Sequence, residues 1–363
     1  MKTPIRMPLH KGMTLIETMI SSLLGILLIY AVYQAFELSE RVKHNTMAAA
    51  DLRVSGLSAV FLMEREISNA GSGLLPAAPF LAHCQDAPLI GSAFLSLRPL
   101  PAVIKKGLND DANDELFIFY GTAPLHTVPL AITDVSPSPA SLTVQTPLGF
   151  SENGSFVVVP SAGKNCYAYN TPDASSISVN HITGTTHLFI DSFHEDVHKD
   201  DLLIDLGSAI RRVYYVKDNV FYMQEWRLED HKWKLKTTGD PLIPDVVRFW
   251  AQYGIDTDKD NNIDQWVPAI GIWDEDSLRK APLDQIQQIR ALRIAFVIRS
   301  GEPDKEIKND YITSVFPDCP LYTTCSGKTV HIAHDASKPY GWRYRTYEVI
   351  IPMRNAIWNF WNG

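Results

Sequence analysis

A chain of 363 residues, 45% hydrophobic and 20% charged, has the ordinary composition of a globular protein and length for one large or two modest domains. Its net charge of −8 excludes a broad electrostatic nucleic-acid surface. The first twelve residues, MKTPIRMPLHKG, carry Lys2, Arg6 and Lys11, no acid and two prolines. They are expected to be disordered and held on the cytoplasmic side by the positive-inside bias. From Met13 to Phe36 the only formal charge is Glu17. As a helix this run would measure roughly 36 Å, enough to cross a hydrocarbon core of about 30 Å. A carboxylate near the centre of a span costs about 2.5–3.5 kcal/mol and usually marks a function. Close to one end, it can instead snorkel into the headgroups. A cleaved secretory signal would place its small residues after the apolar run. Here the small residue, Gly12, precedes it.

Gly12-Met13, Glu17 four residues beyond Met13 and an unbroken apolar helix together resemble the class III signal of type IV pilins and type II secretion pseudopilins. The resemblance implies that a membrane peptidase cuts after Gly12 and methylates the new amine on Met13. It also implies that Glu17 is neutralised by the amine of a neighbouring subunit, which would offset burial and set axial register. Loss of the three basic leader residues takes Lys+Arg from 33 to 30 against 41 acids, a mature charge near −11.

Beyond Phe36 the proline-free segment ELSERVKHNTMAAADLRVSGLSAVFLMEREISNAGSG continues the helix to about residue 69. Leu57, Val60, Phe61 and Ile67 are expected on its buried face, and a kink is allowed around residues 37–46. Gly71, Gly73 and Pro76 supply the stop. Where many major pilins carry a helix-bending proline this chain has Gln34, so it resembles a minor subunit. From about residue 80 the signals are short strands: ELFIFYG, SLTVQT, SFVVVPS and HLFIDS. RRVYYVKDNVFYMQEW reads as a hairpin turning at Lys217-Asp218-Asn219. DVVRFWAQYGID, ALRIAFVIRSG and RTYEVIIPMRN are the best strands, with a short helix in DSLRKAPLDQIQQIRAL. The fold class is therefore α+β, an antiparallel sheet packed on the second half of the long helix. The divisions are 1–12 leader, 13–36 membrane helix, 37–70 amphipathic continuation and 71–363 globular domain. Cys84, Cys166, Cys319 and Cys325 all follow the span, where an oxidising compartment is expected. Of three possible pairings, Cys319–Cys325 is the local one and leaves Cys84–Cys166; four buried free thiols are the alternative.

VRFWAQYGIDTDKDNNIDQWV, then LRIAFVIRS and a terminal YEVIIPMRNAIWN, resembles the C-terminal half of the PilW family of minor pilins. In that family a Tyr-Gly strand runs into an Asp-rich loop, an Arg-containing apolar strand and a last strand ending in Arg-Asn. Within the loop, Asp256, Asp258, Asp260, Asn262 and Asp264 hold positions 1, 3, 5, 7 and 9 of a calcium loop. Asn261 replaces the usual glycine, and Val267 stands where an EF-hand has its bidentate glutamate. A site of extracellular grade, Kd around 10⁻⁴–10⁻³ M, is expected; a solvated acidic turn is the plain alternative. HEDVH, His194–His198, matches the zinc-protease pattern in letters, but its polar surroundings read as a loop. No nucleophile elbow, phosphate loop or dinucleotide fingerprint is present, and no organic cofactor is expected. Trp358, Phe360 and Trp361 at the end read as a cover for the core edge.

The resemblance implies a non-enzymatic minor pilin that primes pilus assembly, resides at the tip, and supports adhesion, twitching or DNA uptake. Implied partners are other minor pilins, the major pilin, the prepilin peptidase, the inner-membrane assembly platform and a PilY-type tip adhesin. The implied location is the inner membrane with a periplasmic domain, then the pilus surface. A large pseudopilin of type II secretion and a membrane-anchored periplasmic enzyme are the rival readings.

Overall fold

The computed structural model describes residues 14–73, 95–96, 100–109, 111–123, 128–148, 150–152, 154–161, 166–170, 175, 177–190, 192–229, 232–316 and 327–354. Internal contacts divide the chain into two units, residues 1–51 and 52–363. The boundary falls inside the single helix Leu15–Asn69. In the first unit that helix starts after Thr14, and its large apolar side chains from Leu15 to Phe36 are exposed. It is long and apolar enough there to cross a membrane. No break interrupts it between residues 37 and 46.

In the second unit the helix ends on Gly71 and Gly73, whose φ angles of 76° and 78° suit a left-handed cap. The Gly71 amide donates to Phe119 O at 2.8 Å, and the Gly121 amide donates to Ser72 O at 2.7 Å. The helix end is thereby tied to the strand Glu115–Gly121.

Among the described residues the rest is three antiparallel sheets, a hairpin and the short helices Gly271–Trp273, Glu275–Lys280 and Leu283–Ile286. The first sheet runs in the order Leu95–Ser96, Tyr167–Asn170, Ser155–Val159, Leu202–Gly207, Leu130–Pro137, Ala140–Val144, Thr185–Phe189, Ile177–Asn180. The second runs Lys232–Leu235, Val220–Glu229, Ala209–Lys217, Glu115–Gly121, Ala102–Lys105, with Asp240–Pro244 also on Val220–Glu229. The third runs Gln265–Val267, Val246–Ile255, Ile289–Arg299, Tyr344–Pro352. Tyr311–Val315 and Lys328–Ile332 form the hairpin. The α+β class holds, but several sheets replace the one that was expected. The predicted turn is present: Lys217 pairs with Val220 across Asp218 and Asn219, whose φ angles are 50° and 59°. Left-handed central residues are what a two-residue hairpin turn needs, and Asp and Asn tolerate them.

The strand Ile289–Arg299 is buried along almost its whole length because both its faces are covered. Leu292, Ile294, Phe296 and Ile298 join the core beneath the helix, while Ala295 and Val297 pack with Val315, Phe316 and Val330. Phe221, Phe249 and Phe296 meet with ring centroids 5.1–5.3 Å apart and join the second sheet to the third.

The face the helix buries differs from the expected one. Leu52, Gly56, Ala59, Met63, Glu66 and Ile67 are buried, whereas Leu57 and Phe61 are 53% and 68% exposed. Of the expected residues only Ile67 belongs to the core, and Val60 is half-buried. Close approach is the reason. A Cβ on Gly56 would overlap the Tyr347 ring, and the Tyr347 hydroxyl donates to Leu52 O at 2.9 Å. Gly56 and Ala59 therefore lie on the buried face beside Leu52, Met63 and Ile67, where Leu57 and Phe61 were expected.

One charged network is built into that contact. Glu66 Oε2 accepts from Arg212 Nη1 and from the Tyr214 hydroxyl, both at 2.7 Å. Arg212 also donates to Glu225 Oε2 at 2.8 and 2.9 Å, and Arg227 Nε donates to Glu225 Oε1 at 2.7 Å. Desolvation, then the Glu66 charge, raises the Tyr214 phenol. Desolvation works to raise Glu225, but the hydrogen bonds from Arg212 and Arg227 outweigh it and hold this carboxyl below the usual range.

Glu66→Ala takes from Arg212 one of its two carboxylates and leaves the buried Tyr214 hydroxyl without its acceptor, and should destabilise the domain by about 1–3 kcal/mol. Adding Tyr214→Phe should restore part of the loss, as read by chemical denaturation. A folded-state value below the unfolded one means that Glu225 contributes stability above its unfolded value. That contribution disappears as pH falls through the folded value. Glu225→Gln should therefore flatten the acid limb of the stability–pH curve.

Candidate functional site

The loop 256–264 connects two paired strands, with Tyr253 opposite Val267, Gly254 opposite Trp266 and Ile255 opposite Gln265. Each residue of the Tyr-Gly pair has a specific task. Tyr253 is fully buried, and its hydroxyl accepts the Ile104 amide N–H. Gly254 lies under the Trp266 ring, where a Cβ would come within 2.8 Å of ring carbons.

Asp256 opens the loop and is itself fully buried. Its Oδ1 accepts the Lys259 amide at 2.6 Å, and its Oδ2 accepts the Asn261 amide at 3.1 Å and Arg290 Nε at 3.0 Å. The remaining acids also serve the turn. Asp258 Oδ1 accepts the Asp260 amide at 3.1 Å, and Asp260 accepts the amide and the side-chain amide of Asn262, both at 2.7 Å. Asp264 Oδ2 accepts the Thr257 amide at 2.7 Å and the Thr257 hydroxyl at 2.6 Å. Lys259 and Asn261 have φ angles of 68° and 71°, so Asn261 adopts the left-handed conformation expected at the glycine-like position.

These bonds set the local electrostatics. The Asn262 side chain and amide lower Asp260, and the Thr257 hydroxyl and amide lower Asp264. Asp258 behaves differently. The Asp260 amide acts to lower it, but desolvation and repulsion from Asp260, Asp264 and Asp256 together leave it raised.

Of the five expected ligands, the structure brings Asp256, Asp258 and Asp260 together, one oxygen of each lying within 4.8 Å of the others. Asp264 is outside this group and is engaged with Thr257; the Asn262 side-chain amide is turned to Asp260. Three converging carboxylates fit a hard cation. The Arg290 guanidinium on Asp256 already supplies one positive charge, so the donor set fits a weak site. Arg290 carries no motif signal of its own; its place at the start of an apolar strand was the only hint in the sequence.

The same strand carries Arg293, 4% exposed and donating to Gln252 Oε1 at 2.6 and 2.8 Å. Its guanidinium stacks over Phe316 and Trp266 at 4.5 and 5.0 Å, and burial pulls it down to about 10.

The other expected sites are placed as follows. Glu17 lies in the first turn of the long helix, with its amide 3.4 Å from Thr14 Oγ1. Thr14-x-x-Glu17 is thus an N-terminal capping pattern that the charge-based reading passed over. An acid in this turn also suits the helix dipole. Gly12, Met13, Cys84, Cys319, Cys325, Trp358, Phe360 and Trp361 lie outside the described residues. Cys166 is buried and disulfide-bonded. HEDVH is a loop, as its composition indicated. His194 stacks on Tyr167 with centroids 4.4 Å apart, and His198 Nδ1 is 2.9 Å from Asp196 O. Among the described residues these histidines form no metal-binding group.

Residues 213–355 match the family model of PilW, type IV pilus-assembly protein W. Over that stretch the chain is PilW-like. The match runs from the hairpin strand Ala209–Lys217, through the Tyr-Gly strand, the Asp-rich loop and the arginine-bearing strand, to the closing strand Tyr344–Pro352. It bears out the resemblance of the C-terminal half to PilW and extends it upstream from Val247 to residue 213. The family that this region resembles is one of type IV pilus-assembly proteins. The first twelve residues and the long helix lie outside the match, as does the eight-stranded sheet. No curated protein and no solved structure matches the chain.

Gly254→Val should displace the Trp266 ring and cost about 1–3 kcal/mol by overpacking. A shifted Trp266 emission and a lower Tm would report it; wild-type values for both would show that the Tyr-Gly motif is not set by this contact.

Proposed function

We propose that this chain is a minor pilin that primes type IV pilus assembly and takes its place at the pilus tip. The observation that carries the reading is the PilW match over residues 213–355 in a chain whose N-terminal helix is long and apolar enough to span a membrane. In this reading the prepilin peptidase cuts after Gly12, and Met13 becomes the methylated N-terminus. Glu17 then meets the amine of an adjacent subunit. The helix anchors the subunit in the inner membrane with its domain in the periplasm, until extraction carries it to the cell surface. Other minor pilins, the major pilin, the assembly platform and a PilY-type adhesin are its partners. Its role is architectural and not catalytic, and supports adhesion, twitching or DNA uptake. Cys84–Cys166 and Cys319–Cys325 are the proposed disulfides.

Growth from the base accommodates a bulky subunit most easily at the top, and this steric argument supports the tip. The convergence of Asp256, Asp258 and Asp260 supports a second proposal, that the loop takes calcium with a Kd of about 10⁻⁴–10⁻³ M.

N-terminal sequencing of the mature protein should begin at N-methylated Met13. Gene deletion should reduce pilus number while leaving type II secretion intact, and Glu17→Val should do the same. A mature protein that retains Met1, or a deletion strain with normal pili, would refute the assignment. For the loop, millimolar calcium should raise Tm and perturb tryptophan fluorescence in the wild type but not in Asp258→Asn/Asp260→Asn. An unresponsive wild type excludes the ion.

A further inference from the structure

The acids at the start of the loop 256–264 outnumber the groups that neutralise them. Asp256, Asp258 and Asp260 converge, and among the described residues the only ion pair to any of them comes from Arg290. The loop's own Lys259 leads away, its Nζ lying 3.9 Å from Asp284. Arg290 reaches in from the strand Ile289–Arg299, and both members of the pair are enclosed. The side chains of Arg290 and Asp256 are 7% and 0% exposed.

The form of the pair leaves room for a second cation. Arg290 Nε and Nη2 both bond Oδ2 of Asp256, each at 3.0 Å, whereas a guanidinium and a carboxylate frequently meet through two oxygens. Nη1 is buried and has no acceptor, so the charge on Asp256, and not a full set of hydrogen bonds, holds the guanidinium in place. On the other side of the carboxylate, Oδ1 accepts only the Lys259 amide, which leaves it one lone pair. Asp256 can therefore be shared between Arg290 and an ion held with Asp258 and Asp260. Sharing weakens the ion's hold. A unit and a double positive charge about 6 Å apart repel enough, even under water-like screening, to lower affinity about tenfold.

We propose that Arg290 is the resident cation of this loop, neutralising Asp256 so that the turn folds before any ion binds, and holding calcium affinity down by occupying the same carboxylate. This rests on the calcium reading above and adds to it the residue that sets the affinity. The domain then folds where calcium is scarce and responds only where calcium is at extracellular levels.

The test is the Tm of the full-length protein in detergent, in chelator and across a titration with calcium chloride. The wild type should be folded in chelator and gain a small increment at millimolar calcium. Arg290→Met keeps the length and removes the charge, so Asp256 is buried without its cation and the Tm in chelator should fall. Calcium should restore it, with a midpoint about tenfold below that of the wild type. Arg290→Lys keeps the charge and should keep the wild-type midpoint. A Met variant that folds only in calcium is the expected result in its extreme form. Equal midpoints for the Met variant and the wild type, or a Met variant that calcium does not restore while the wild type responds, would overturn the role of Arg290. No response to calcium in either protein would instead overturn the calcium reading, and the Tm of Arg290→Met in chelator would still decide whether Arg290 neutralises the loop.

Discussion

A helix carboxylate held by a sheet guanidinium fixes how the domain is assembled. Glu66 can reach Arg212 and Tyr214 together only when the helix lies at one rotation and one height on the second sheet. Apolar contact alone would be less selective, because the helix has apolar side chains on both sides. Burying an ion pair adds little net stability, but a mismatched alternative leaves a charge without a partner. The network therefore acts chiefly on register, and Gly56 beneath Tyr347 reinforces the same choice sterically. The outward direction of Val54, Leu57 and Phe61 follows from that fixed rotation.

The third sheet repeats this logic on a smaller scale. The buried pair Asp256–Arg290 closes the Asp-rich loop onto the strand Ile289–Arg299. Packing of Trp266 over Gly254 fixes the short return strand. The PilW-like motif is thus a structural unit first: a Tyr that bonds a neighbouring edge, a Gly that admits a ring, an Asp that turns the chain and an Arg that neutralises it. Any cation bound by Asp258 and Asp260 would act on a loop that is already ordered by its own amides.

Much of this was legible in the residues. The apolar run, the glycine stop at Gly71, the turn at Asp218-Asn219 and the strands Val246–Ile255, Ile289–Arg299 and Tyr344–Pro352 are local signals that tertiary contacts leave unchanged. What was misread depends on partners remote in sequence. Large side chains pointed to Leu57 and Phe61 as the buried face, because sequence alone does not show that Tyr347 descends on Gly56. Arg290 and Arg212 carry no motif, since their acids lie 34 and 146 residues away. The eight-stranded sheet was visible only as separate strands, because its order interleaves segments spread from residue 95 to residue 207.

The bond from Tyr347 to Leu52 spans 295 positions of the chain, so one wall of the helix's seat comes from far along the sequence. Contacts of such long sequence separation form late, because loop closure must be achieved before they contribute. Until Tyr347 docks, the helix is therefore only partly housed. Truncation upstream of the final strand leaves Gly56 bare and the cradle open. Docking of the strand Tyr344–Pro352 is thereby coupled to closure of the fold around the helix.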